Sequence, residues 1–114
     1  MKSVEQIISV LEHAKERPGM YTLNSQEVDN VKNFLAGFQV ACDTLGYGYG
    51  LRAASKVRTR RGWERWGSSA ELVSQKTGMN MKDSGMSEQE TVAELFAIEI
   101  ECWREVPGVS TPPV

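Results

Sequence analysis

Apolar positions recur at three- and four-residue intervals in three stretches of the chain, the spacing of one face of an α-helix. The first stretch is Val4, Ile7, Ile8, Leu11 and Ala14. Ser3 and Gln6 have the spacing of a capping box, so a helix is predicted from Ser3 to about Glu16. Pro18 pushes Arg17 out of helical geometry and Gly19 follows at once, which ends it. The second stretch, Val28, Val31, Leu35, Phe38, Cys42 and Leu45 with Phe34 and Ala41 beside it, is the strongest helical signal. Asn24 or Ser25 can cap it, and Gly46 stops it, giving a helix over Ser25–Leu45. The third runs through Val92, Phe96, Glu99 or Ile100, Trp103 and Val106, with Leu95 and Cys102 adjoining. Ser87 and Glu90 form a capping box before it, and Pro107-Gly108 closes a helix over Ser87–Val106.

Between these stretches the pattern is weaker. Tyr47 to Gly50 alternates tyrosine and glycine and reads as a turn; a phosphate-binding glycine loop needs a strand before it, and here a helix precedes it. Leu51, Ala54 and Val57 support a helix to about Arg60, with a break near Gly62 and a short helix over Ser69–Lys76. Residues 77–85, with two glycines, Asn80, Asp83 and Ser84, read as a loop. Nothing alternates for long enough to argue for a sheet. The expected fold is therefore an all-α, compact bundle of four or five helices, one domain over residues 1–106, followed by a flexible tail over 107–114.

Composition leaves this reading in place. With 114 residues, 40% apolar and 25% charged, the chain can bury a single core and shows neither disordered nor fibrous character. No apolar leader follows Met1-Lys2-Ser3 and no run approaches the roughly 18–20 apolar residues of a membrane span, so a cytoplasmic location is expected. Cys42 and Cys102 both fall on apolar helix faces and read as small buried hydrophobes rather than a disulfide.

The chemistry of catalysis is sparse. His13, the one histidine, lies off the apolar face of the first helix and reads as an exposed residue, so a triad or dyad lacks its base. Cys42 and Cys102 stand sixty positions apart without a companion, which argues against a metal site, and no cofactor is expected. Among the carboxylates, Glu99 stands apart because it falls close to the apolar stripe; a small enzyme with Glu99 in a pocket is the third-ranked reading.

Charge is more informative. The net charge is only −2, short of the basic excess of a dedicated nucleic-acid binder. It is unevenly laid out: Arg52, Lys56, Arg58, Arg60, Arg61 and Arg65 face only Glu64 in one segment, whereas Glu88, Glu90, Glu94, Glu99, Glu101 and Glu105 face only Arg104 in the last helix. The two segments either pack together and neutralise each other or leave one as a docking surface. With the acidic face free, Glu94, Glu101 and Glu105 would contact a basic protein partner such as a nuclease-type toxin. With the basic segment free, Arg58, Arg60, Arg61, Trp63 and Trp66 would contact single-stranded nucleic acid by phosphate pairing and stacking. Self-association through the aromatic last helix is open.

Arg17-Pro18-Gly19-Met20-Tyr21 is similar to a short R-P-G-M-Y segment near the start of the ATPase domain of gyrase B and related type II topoisomerases, a likeness of five residues. Over nearly its whole length the chain resembles a loose group of small bacterial proteins, some of them immunity-like proteins that neutralise polymorphic toxins. The residues that carry this are the Arg17–Tyr21 turn, Ser25, Phe34-Leu35-Ala36-Gly37-Phe38, Arg60-Arg61-Gly62-Trp63, and Phe96 to Trp103. The chain departs from that layout at the Tyr47–Gly50 turn and the long loop before Ser87. The resemblance implies a non-catalytic protein-binding module of immunity or antitoxin type, a kind of protein common on mobile genetic elements. The same residues also have a purely structural reading, in which Pro18-Gly19 turns the chain, Met20 and Tyr21 fold back over the helices, and Gly37 provides a small notch for close packing.

Overall fold

The computed structural model describes residues 2–16, 28–65 and 72–106. The described chain forms α1 (Lys2–Glu16), α2 (Val28–Thr44), α3 (Gly50–Arg60), β1 (Trp63–Arg65), β2 (Leu72–Ser74) and α4 (Glu88–Arg104). The Arg17–Tyr21 turn, the Ser25 cap, Trp66 and the tail fall outside the described residues, and the Ser3 capping box falls outside the described side chains.

Local signals decide where the helices end. At the start of α4 the Glu90 backbone N–H donates to Ser87 Oγ at 3.1 Å and the Ser87 N–H donates back to Glu90 Oε1 at 3.0 Å, the reciprocal box that the S-x-x-E spacing predicts. After α2, Gly46 takes φ +88° while Tyr47 N–H reaches back to the Cys42 carbonyl and Gly46 N–H to that of Asp43. This is a Schellman closure, which needs a left-handed residue that glycine supplies without steric cost. One consequence corrects the predicted stripe: Leu45, next to that closure, is 74% exposed instead of buried.

The stretch after α3 departs from the all-helical expectation. Residues 72–74, expected within a short helix, form a strand that pairs antiparallel with β1, with Trp63 opposite Ser74, Glu64 opposite Val73 and Arg65 opposite Leu72. Val73 also bridges to Asn80. Buried Trp63, with Leu72 packed beside it, anchors the hairpin against α3 and α4, so tertiary packing overrides local propensity. Three-residue strands are too short for alternation to be seen in the sequence.

The core is organised around α4, which packs against α1, α2 and α3. One side of it meets α1 and α2 through Ile8, Leu11, Val31, Leu35, Phe96, Ile100 and Trp103. The other meets α3, β1 and the loop after β2 through Ala54, Val57, Trp63, Met81, Ile98 and Cys102. Burying a large apolar side chain contributes roughly 1.5–3 kcal/mol, so a helix buried on two sides carries much of the folding energy. Gly37 lies on the exposed side of α2 with open space around it, so it is not the packing notch its sequence context suggests. Cys42 and Cys102 are buried free thiols, and burial pushes the Cys102 thiol up to about 12. Among the described residues no helix is long and apolar enough to cross a membrane.

Candidate functional site

The two charged segments lie against each other. Lys56 and Arg60 stand one turn apart on α3, and Arg61 follows at its end; Glu94 and Glu101 lie seven residues apart on one face of α4, and Glu105, its C-cap, continues that face. Lys56 Nζ reaches Glu105 at 2.9 Å, and Arg60 bridges Glu101 at 2.8 Å and Glu105 at 3.2 Å. Arg61 holds Glu94 in a two-pronged contact, both prongs 2.8 Å, and also pairs with Glu101. Trp63 Nε1 donates to Glu94 at 3.0 Å from the other side. The Arg61 guanidinium, with help from Trp63, holds the Glu94 carboxyl below its ordinary range, and hydrogen bonds from Lys56 and Arg60 do the same for Glu105. Fork-to-fork arginine–carboxylate pairs are the strongest of these contacts because geometry and charge act together.

Of the residues singled out from the sequence, Glu94, Glu101, Glu105, Arg60, Arg61 and Trp63 therefore meet in one cluster inside the chain. Trp63 is 9% exposed, so its ring packs in the core rather than lying open for a base. Arg58 is directed elsewhere. It shares a flank of α3 with Leu51 and Ala54, separated from Lys56 and Arg60 by the buried Val57, and it lines a cleft of about 1160 Å³ between α2, α3 and α4. His13 is exposed on α1.

At the floor of that cleft sits Glu99, only 4% exposed. Its Oε1 accepts from Gln39 Nε2 at 2.6 Å and from the Tyr49 hydroxyl at 3.0 Å; its Oε2 accepts from Trp103 Nε1 at 3.1 Å. Tyr49 meets the Trp103 ring edge-on, with centroids 5.2 Å apart. Burial pushes the Glu99 carboxyl above its ordinary range, against the opposing pull of the three donors. Burial and the adjacent carboxylate likewise push the Tyr49 hydroxyl up. All three donors are neutral, so the carboxylate ties α2, the turn before α3, and α4 together without an ion pair. The proximity of Glu99 to the apolar stripe pointed to this site, but Gln39 and Tyr49 carry no local signal, being 60 and 50 positions away.

Among the charged side chains at the lips of the cleft, two large apolar ones stand open to solvent. Val40 on α2 is 66% exposed and Leu51 on α3 is 81% exposed, both lining it. Among the described residues no group of three or more His, Cys, Asp or Glu side chains is placed to hold a metal ion.

No protein-family model matches this chain, and neither the curated proteins nor the solved structures contain a match to it.

Proposed function

We propose that the chain is a non-catalytic protein-binding module of the immunity or antitoxin kind, and that its partner enters the cleft between α2, α3 and α4. The observation that carries this reading is the pair of solvent-facing lips, Val40 and Leu51, over an apolar-walled cleft. Large apolar side chains left in water beside a concavity mark a surface that another molecule covers. An acidic docking face made of Glu94, Glu101 and Glu105 is supported less well, because a basic partner would have to displace Lys56, Arg60 and Arg61 from them. The nucleic-acid alternative meets the same obstacle at Arg60 and Arg61, and at the Trp63 ring.

Carried on an affinity matrix, the full chain is expected to retain a protein from extracts of its source cells that Val40→Asp/Leu51→Asp does not retain. Both substitutions sit on exposed positions, so an unchanged helical circular dichroism spectrum is expected. Equal retention of the same proteins by both chains, or retention of none by either, would overturn the cleft as the partner site.

A further inference from the structure

We propose that the segment of the partner that fills the cleft is aliphatic and carries a carboxylate, and that Arg58 is the cation that receives it. This rests on the reading of the cleft as the partner site. The charges facing the cleft differ in how well they are already satisfied. Glu99 has three donors on its two oxygens and is nearly sealed from solvent. Lys32, Arg65, Lys82, Asp29 and Asp43 are exposed at the rim, in contact with water. Arg58 is half-buried on the wall and, among the described residues, has neither a carboxylate nor a hydrogen-bond acceptor. On the same helix Arg60 holds Glu101 of α4 and Lys56 holds Glu105 at its C-terminal end. The cation on the cleft wall that is partly withdrawn from water and still lacks an acceptor among the described residues is thus the Arg58 guanidinium.

The walls fix the other half of the ligand. Leu51 and Ala54 precede Arg58 on its own flank of α3, and Leu95 and Ile98 face them from α4. A guanidinium beside such a surface matches a group whose carboxylate is next to an aliphatic body, since the two parts are recognised by a two-pronged hydrogen bond and by apolar burial. A lysine-bearing segment would instead set two cations against each other at this wall, and Glu99, which already accepts three hydrogen bonds, is nearly sealed from it.

The test uses octanoate as the smallest probe with this chemistry, octylammonium and 1-octanol as the probes that lack it, and the full chain labelled for NMR. Octanoate is expected to shift the Arg58 side-chain Nε–H and the Leu51 and Ala54 amides in a saturable way, with octylammonium binding at least about tenfold more weakly. Arg58→Gln is expected to weaken octanoate by about tenfold and leave octanol unchanged. Leu51→Asp is expected to weaken both octanoate and octanol. Octylammonium binding as well as octanoate, octanoate indifferent to Arg58→Gln, or no response to octanoate would each overturn the proposal. Any of these, alongside partner retention that depends on Val40 and Leu51, would remove the carboxylate preference and leave the cleft reading standing.

Discussion

Trp103→Ala is expected to cost about 3–5 kcal/mol of folding stability, the largest effect of any single truncation among the described residues. The indole is 1% exposed and belongs to the cluster that joins α4 to α1 and α2. Its removal takes away the buried apolar area, leaves a cavity that the surrounding helices fill only in part, and strands the edge of Tyr49. It also strips Glu99 Oε2 of its donor, deep in a poorly hydrated site. Urea unfolding followed by far-ultraviolet circular dichroism measures this independently of tryptophan emission. A loss below about 1 kcal/mol would mean that Trp103 is not in the core, because surface truncations fall in that range.

The second large effect is expected at Glu99, and its signature is its pH dependence. Glu99→Ala removes the acceptor shared by Gln39, Tyr49 and Trp103, and the buried indole N–H has nowhere to turn, so a loss on the order of 2–4 kcal/mol is expected in mild acid. The wild-type carboxyl is held above its ordinary value of 4.5, chiefly by burial. A carboxyl raised in the folded state binds its proton more tightly there than in the unfolded chain. Folding stability therefore falls as pH rises from 4.5 through the folded value, and is level beyond it. The alanine variant lacks this slope. The stability difference between wild type and Glu99→Ala is accordingly expected to shrink as pH rises from 4.5 toward neutrality. Glu94 and Glu105, whose carboxyls are lowered, contribute stability of the opposite sense, present above their unfolded values and lost on acidification. They do so in both chains, so they drop out of the comparison. A difference that stays flat or grows with pH would show that burial does not control Glu99.

The physics of each element explains how far it could be read from the sequence. The α4 cap was legible because a capping box is local, four residues whose backbone and side chains satisfy one another. The stop near Gly62 was legible for the same reason, since Gly62 takes φ +86° and its N–H closes back on the Thr59 carbonyl. The β1–β2 pair was not, because three residues cannot display a two-residue period, and what holds them is the packing of Trp63 and Leu72 against distant helices. The sequence of α4 shows one apolar stripe, whereas the helix is buried on two sides, with Ile98 and Cys102 facing α3 and Phe96 and Ile100 facing α1 and α2.

The candidate site divides along the same line. The opposite signs of the α3 and α4 segments are plain in the sequence, but whether they meet depends on how two helices about 40 residues apart are set against each other. Arg58 looked equivalent to Arg60 and Arg61 as a letter in a basic run. Only the flank of α3 it occupies separates it from them, and that flank is fixed by the burial of Ala54 and Val57.

The basic and acidic segments neutralise one another within the chain, and the proposed binding role of the cleft rests on that pairing. A double-mutant cycle on Arg61→Met and Glu94→Gln tests it most directly, because each partner is less than a third exposed and the pair is joined by two hydrogen bonds. A favourable coupling of roughly 1–3 kcal/mol, only partly weakened in high salt, is the predicted result. A coupling indistinguishable from zero, with both single variants as stable as the wild type, would contradict it.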